Sequence, residues 1–491
     1  MSDSHIYDPI KPFDPHGPHA DFSFSRLPLG EDRQRVAIIG TGIAGLSAAW
    51  MLKDRYELTV FEKTAKPGGH SHSFNAGTED APLWIDMGFI VFNNPCYPNL
   101  LNLFDHLGVA HEPSDMSFGV SVDQDGPRHL EYASTSLNGL FAQRRNLIRP
   151  RFLSLLSDIM RFYKHAPIDT KALTSDSYTL GEYLTDKRYG RAFIDDHLLP
   201  QAAAIWSTSA REIMDYPLKA FIAFFENHGL LRLKDRVPWR TVTNGSQAYV
   251  EKLTATFTDR IVTNTAIRTV IRHEREVIVI DEQDRAHRFD HVIFATHTPD
   301  TLAMLGDPDD METDILGGIS YTPNTVVLHT DANLMPKRRH AWSSWNYIGK
   351  GADHDRQLCV SYWMNRLQNL KTDTDYFVTL NPVTPVDPAK IISVVEFDHP
   401  LFNARALKSQ QHIGLIQGVR RTWFCGAWMG HGFHEDGLQS GLAVAEALSG
   451  MRRPWAFDPA QSRIAWRPKP ADYAADVVAE KLNERALPRP C

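Results

Sequence analysis

Residues 35–49 read Arg35-Val-Ala-Ile-Ile-Gly40-Thr-Gly42-Ile43-Ala44-Gly45-Leu-Ser-Ala-Ala: an apolar run, three spaced glycines and a run of small residues. This order predicts a buried strand, a tight turn and a helix. Gly40 permits the turn, Gly42 lets backbone approach a pyrophosphate, and Gly45 lets helix and strand pack closely. The N–H groups of Ile43 and Ala44 then open the helix toward an anion. A second apolar run, Glu57-Leu-Thr-Val-Phe, ends before Glu62 and Lys63, with Glu62 placed to bond ribose hydroxyls. Gly40 and Glu62 are 22 positions apart, close to the roughly 20 expected of a dinucleotide-binding βαβ unit. The glycines alone also suit an ordinary turn. Their flanks and the spaced carboxylate favour an adenine dinucleotide.

The next residues separate a nicotinamide from a flavin. A further β-α repeat would continue a nicotinamide fold, but the chain runs Pro-Gly68-Gly69-His70-Ser-His72 and then Trp-Ile-Asp86-Met-Gly88-Phe89. Far downstream, Arg421-Thr-Trp-Phe-Cys425-Gly426-Ala427-Trp-Met-Gly-His431-Gly-Phe-His434-Glu435-Asp436-Gly437-Leu438 again predicts strand, loop and helix. These segments together resemble the flavin-containing amine oxidase superfamily, which includes phytoene desaturases and protoporphyrinogen oxidases. The resemblance implies an α/β fold with a Rossmann-like FAD-binding domain, discontinuous in sequence, and an interleaved α+β substrate domain. It implies non-covalent FAD, with Gly426 and Ala427 beside the ribitol. The helix start at Glu435, Asp436, Gly437 and Leu438 would face the flavin pyrimidine edge. Backbone near Ile267 would contact adenine, and Ala295-Thr296 would close the sheet beneath the cofactor. The superfamily usually carries an acidic residue where this chain has Ala427.

A closer resemblance spans about residues 34–455. Asp86-Met-Gly-Phe-Ile-Val-Phe-Asn, Pro200-Gln-Ala-Ala-Ala-Ile-Trp-Ser, Phe224-Phe-Glu-Asn-His-Gly-Leu-Leu and Trp342-Ser-Ser-Trp-Asn are similar to a bacterial subfamily of amine-oxidase-type NAD/FAD-binding proteins. Its members often accompany cyclopropane-fatty-acyl-phospholipid synthases. The resemblance points to modified acyl chains and to a lipid methyltransferase as a partner. Thr243-Asn244-Gly245 departs from the glycine doublet of many relatives, but Asn tolerates positive φ.

The 491 residues are 43% hydrophobic and 23% charged, as in ordinary globular proteins. A net charge of −7 gives no reason to expect nucleic acid. Cys96, Cys359, Cys425 and Cys491 form no C-x-x-C pair, which suits a reducing cytoplasm. No run of about 18 apolar residues predicts a membrane span, so any membrane contact would be peripheral. Residues 1–33 lack an apolar signal core and read as a mobile arm. Residues 34–95, 237–299 and 416–455 are assigned to the FAD-binding domain, and 96–236 with 300–415 to the substrate domain. The first substrate block reads as mostly helical, the second as containing strands. Residues 456–491 form a tail with a helix predicted over 471–485.

Candidate chemistry centres on His434 and Glu435, which are placed to hydrogen-bond the flavin or shuttle a proton. The plain structural alternative is that Glu435 and Asp436 cap the following helix. His70 is expected near the cofactor. His70 and His72 have no clustered companions, so no metal is expected. Cys425 reads as strand packing rather than a flavin attachment point. Residues 144–164, basic and apolar at helical spacing, suit either an internal helix or one lying on an anionic bilayer. Aromatics including Trp206, Phe224, Phe225, Trp342, Trp345 and Trp363 suit a large apolar pocket or simply core. Three functions follow. The first is an FAD-dependent oxidoreductase acting on an unsaturated or methyl-branched acyl chain; the second is an amine oxidase releasing peroxide; the third is a non-catalytic FAD-binding partner of a lipid methyltransferase.

Overall fold

A computed structural model describes residues 33–466, apart from 125, 127–128, 176, 207–212, 233–236 and 351–356. The N-terminal arm and the helix expected over 471–485 lie outside the described residues. Five short parallel strands form the central sheet: β1 (Arg35–Ile39), β2 (Glu57–Phe61), β3 (Ile261–Val262), β4 (His291–Phe294) and β5 (Thr422–Phe424), in the order β3-β2-β1-β4-β5. Val36, Ala37, Ile38, Val60, Val292 and Ile293 are fully buried, as strands covered on both faces require. Between β1 and β2 runs α1 (Ile43–Leu52), buried along its whole length. A Cβ on Gly45 would lie 2.0 Å from the Gly40 carbonyl oxygen. Only glycine lets this helix sit so close to its strand.

A second, seven-stranded sheet has the order Ile391–Pro400, Tyr321–His329, Phe377–Leu380, Gln357–Trp363, Trp345–Lys350, Phe118–Val122 and Leu130–Ala133. Its last two strands come from the block expected to be mostly helical. They pair antiparallel to each other, and Phe118–Val122 runs parallel to Trp345–Lys350. A third strand of that block, His111–Ser114, pairs with Trp239–Val242 in a separate small sheet, and most of what remains is helical, including α2 (Pro98–Leu107), α3 (Leu137–Leu140) and α4 (Pro150–Lys171). The basic segment at 144–164 is not one helix. Residues Arg144–Leu147 form a separate 3-10 turn, and α4 starts at Pro150, whose missing N–H costs nothing in a first turn.

The sequence boundaries also blur in the packing. Leu100, Leu103 and Phe104 of α2, together with Ile315, Leu316, Ala406 and Ile413, join the core of the dinucleotide unit. Ile464 and Trp466, read as tail, are buried in it too. Last comes α5 (His434–Ser449), fully buried against α1. A Cβ on Gly441 would meet the Ala44 carbonyl oxygen at 2.0 Å, so the two helices touch backbone to backbone.

Candidate active site

The turn after β1 opens on a cavity of about 2200 Å³ that runs from the central sheet into the space beside the seven-stranded one. A pocket for one drug-sized ligand holds about 300–1,000 Å³, so there is room for a long cofactor and a second molecule. Gly40, Gly42, Ile43 and Ala44 line one end. Gly40 has φ +102°, and a Cβ there would lie 2.7 Å from the Ala295 carbonyl oxygen. A Cβ on Gly42 would meet nothing within 4 Å, because it would project into the cavity. No side chain caps the N-terminus of α1 at Gly42, and its unpaired N–H groups form an anion cradle. Gly69, at φ +56°, covers this turn, with its Cβ position 3.0 Å from Gly42 Cα.

Glu62 leaves β2 at the cavity wall together with Lys63. Its Oε1 accepts from the Thr64 N–H and hydroxyl at 2.8 Å each, and its Oε2 accepts from the Thr41 N–H at 3.3 Å and from the Thr41 hydroxyl. The carboxylate is thus held in one orientation beside the glycine turn. His70, Gly88, Phe89, Ala295, Thr296, Gly426, Ala427, His434 and Gly437 also line the cavity. Trp428 adds an indole Nε1 that is buried without a partner among the described residues. An open cradle, an oriented carboxylate and an orphaned donor on one wall fit an extended dinucleotide such as FAD.

Several expected residues lie behind that wall. Gly68 donates its N–H to the Thr41 carbonyl at 3.0 Å, tying the 66–70 loop to the glycine turn. Asp86, expected near the cofactor, does not line the cavity. It is fully buried and accepts from the Ser246 N–H at 2.8 Å, the Ser73 hydroxyl at 2.5 Å and Gln368 Nε2 at 2.7 Å. Burial pushes its carboxyl up to about 6, against the pull of the Ser73 and Ser246 hydrogen bonds. Ile267 packs into the core, and the cavity wall near Glu62 is made by Thr64, Ala65, Lys66 and Pro67 instead. Leu438 is core, and Asp436 accepts from the Phe433 N–H at 2.8 Å and pairs with Arg463 at 2.9 Å. Asn244 adopts φ +66°, which is how the turn without a glycine doublet survives. Cys425 is buried in the core, off the cavity wall.

Both residues named as proton carriers have other work. Glu435 is absent from the cavity wall; its carboxylate accepts from the backbone N–H groups of Asn99 at 3.1 Å and Leu100 at 3.0 Å, and from Asn99 Nδ2 at 2.7 Å. It caps α2. His434 does face the cavity, but its Nε2 lies 2.5 Å from Tyr249 Oη and 3.1 Å from Ser71 Oγ. Its ring stacks on Phe89 at 3.8 Å. Burial lowers its pKa to about 3, so it is a neutral, tethered imidazole that positions its neighbours.

A histidine group on the same wall escaped the sequence reading. His70 stacks on Phe397 at 4.6 Å, with the His399 ring at 5.7 Å and the His297 ring at 6.3 Å. Burial, then the neighbouring histidines His399, His297 and His434, lowers the His70 pKa well below its ordinary value. His297 stacks on Tyr321 at 4.5 Å. These residues come from four separate segments, and no local pattern announces them. Among the described residues no group of acidic, His or Cys side chains could hold a metal.

Residues 43–370 match the flavin-containing amine oxidoreductase family. The match covers about two thirds of the chain, which belongs to this family and is an FAD-dependent oxidoreductase. No curated protein gives a sequence match. Among solved structures, a CLA-producing fatty acid isomerase from P. acnes is 18% identical with a TM-score of 0.58; the alignment covers 84% of this chain and 98% of that one. Cyclohexylamine oxidase from Brevibacterium oxydans is 16% identical, TM-score 0.58, covering 84% and 99%. A putative protoporphyrinogen oxidase from Exiguobacterium is 15% identical, TM-score 0.57, covering 85% and 99%. At these identities the shared feature is the fold. Membership in an oxidoreductase family sets aside the non-catalytic alternative.

Proposed function

We propose that this oxidoreductase acts on an unsaturated or methyl-branched fatty acyl chain, by desaturation or by moving a double bond. The observation behind the reading is the apolar limb of the cavity. Beyond the glycine cradle its wall includes Phe118, Leu140, Leu156, Ile159, Phe224 and Trp345. Each methylene buried there contributes about 0.8 kcal/mol, so an acyl tail can be held without a charged partner. The fatty acid isomerase with the same fold supports this class of substrate.

Bound FAD supplies a two-electron hydride acceptor. The chain supplies position. The α1 N-terminus and Gly42 would hold the pyrophosphate, and Glu62 would hold the ribose. Phe89 and His434 stack as one rigid wall. Phe224 and Phe433, stacked at 5.3 Å, add an apolar stretch to the same cavity wall. The neutral histidines leave the reacting carbons without a strong acid, which suits hydride chemistry at an unactivated chain.

Anaerobic mixing with unsaturated and methyl-branched phospholipids tests the reading. Desaturation bleaches the flavin and adds a double bond; isomerisation leaves net colour unchanged and moves one. Lipids recovered unaltered with the flavin still oxidised would overturn it. A second reading, amine oxidation, draws on Glu396 and Asp398, which line the wall on either side of Phe397. Peroxide release on adding polyamines or aromatic amines in air would favour it.

A further inference from the structure

Eleven large hydrophobic side chains are exposed among the described residues, and six of them fall between 137 and 168: Leu137, Leu147, Ile148, Leu153, Met160 and Ile168. Ile148 is 82% exposed and Leu137 76%. Along α4, Leu153, Met160, Lys164, Ile168 and Lys171 follow one another at seven, four, four and three residues, so they lie on a single stripe. The opposite stripe, Phe152, Leu155, Ile159, Phe162 and Ala166, is buried in the core. This helix therefore has two apolar faces, and only one of them is covered by protein.

The uncovered face is cationic. Residues 137–171 contain seven Arg or Lys (144, 145, 149, 151, 161, 164 and 171) and two Asp (158 and 169), in a chain whose net charge is −7. Not all of these cations are available. Arg151 neutralises the buried Asp196 at 2.8 Å, and Arg161 pairs with Asp158 at 2.9 Å. Arg144 and Arg145, both exposed, instead donate to neutral oxygens, on Asn138 and Phe141 for Arg144 and on the His129 carbonyl for Arg145. The Arg144 contact with Asn138 seats the 144–147 turn against α3. Exposed leucine and isoleucine thus sit between cations on one short stretch of surface.

The same face borders the cavity. Leu137 and Met160 are exposed and also line it, and Leu140, Leu156, Ile159 and Tyr163 follow inside. From this geometry we infer that α3, the 144–148 turn and the outer stripe of α4 form a docking surface for an anionic lipid bilayer, with the mouth of the cavity turned to the membrane. Delivery of an acyl chain through that mouth rests on the function proposed above; docking itself does not. The apolar side chains enter the headgroup boundary while the cations meet lipid phosphates.

The test is vesicle pelleting with the FAD-loaded full chain, using phosphatidylglycerol-rich and pure phosphatidylcholine vesicles. Wild type is expected to pellet with the anionic vesicles at low salt and to be released toward 1 M salt, where the Debye length is about 3 Å. Replacing Arg144, Arg145 and Lys164 with Gln should lower partition by on the order of 100-fold, following about 1 kcal/mol for each cation near the surface. Replacing Leu147, Ile148 and Leu153 with Ser should release the protein even at low salt. None of these six side chains lines the cavity, so FAD content, melting temperature and turnover of a soluble short-chain surrogate should stay at wild-type levels. The inference fails if wild type ignores anionic vesicles at low salt, or if the Ser variant binds as wild type does. It also fails if the face proves to cover a second copy, seen as a dimer that the Ser variant splits. Binding without any chemistry on acyl lipids would keep the surface and sink the acyl reading; turnover of acyl surrogates without binding would do the reverse.

Discussion

The carboxylate of Glu435, at the start of α5, holds the backbone N–H of Asn99, in the first turn of α2, at 3.1 Å. The two residues are 336 positions apart. Through this contact the helix that ends the dinucleotide unit caps the helix that begins the substrate block. Gln439 Nε2 supports the same carboxylate at 2.9 Å. Burial raises the Glu435 pKa, and hydrogen bonds from Gln439, Asn99 and Leu100 oppose the rise.

Glu435→Ala should therefore cost stability rather than chemistry. Leaving the Asn99 and Leu100 donors unpaired in a buried site is expected to lower unfolding free energy by about 2–4 kcal/mol. Turnover per folded, flavin-loaded molecule should stay within a few-fold of wild type. Urea unfolding and kcat measured on the same preparation check this. A hundredfold loss of kcat at unchanged stability would restore Glu435 to the reacting centre.

How far the sequence reads correctly depends on how local the cause is. The Gly40–Gly45 turn, Glu62 and the Gly426 strand end are legible because strand, turn and helix are written within a few residues of each other. That Glu435 and Asp86 lie off the cavity wall is not legible, because the partners that hold them, Asn99 and Ser246, are far away in sequence. Either carboxylate has the right type and spacing for a cofactor contact, and only the tertiary fold shows it already used. Phe118–Val122 and Leu130–Ala133 are missed for a related reason: they are short strands that pair with each other and join their sheet only through Trp345–Lys350, which is supplied by another block. The His70, His297 and His399 group has no sequence signature at all.

Gly42→Val should yield a folded, colourless protein. The Cβ position at Gly42 is open, and its φ of −64° suits any residue, so the fold tolerates the change while the new side chain fills the cradle. Wild type should be yellow and release intact FAD on heating or acidification. Retention of FAD by the valine variant, at wild-type affinity, would mean that the pyrophosphate lies elsewhere.

Glu62→Ala removes the proposed ribose acceptor and also the brace between Thr41 and Thr64. FAD affinity should fall by about 10- to 100-fold, in line with roughly 1.5–3 kcal/mol for a hydrogen bond to a charged group. Glu62→Gln should recover part of it, because an amide oxygen can still accept from Thr64. Titration of apoprotein with FAD, followed by flavin fluorescence, separates these cases; equal affinity for all three proteins would remove Glu62 from the site.

Acid should destabilise the fold through its buried imidazoles. His197, His228 and His434 are each lowered by burial to about 3. In the unfolded chain they titrate near 6.5. Below that value the unfolded state binds protons that the native state refuses, so their contribution is fully present above about 6.5 and is lost as pH falls toward 3. Between pH 6.5 and pH 5 each histidine should remove on the order of 2 kcal/mol. Asp86 acts in the opposite sense over part of the same window. With its carboxyl raised to about 6, the native state holds a proton that the unfolded state has released, which favours the fold as pH falls from 6 toward 4. Three histidines outweigh one carboxyl, so urea midpoints at pH 7.5 and pH 5 should differ strongly, with the acidic one lower. His228→Asn is the sharpest variant, since its Nε2 has no partner among the described residues and its loss leaves no donor stranded there. It should be less acid-sensitive than wild type by about one histidine's share. If its midpoints at pH 7.5 and pH 5 keep the wild-type difference, His228 is not a neutral buried imidazole, and the aromatic stack with Phe224 at 3.9 Å holds a charged ring instead.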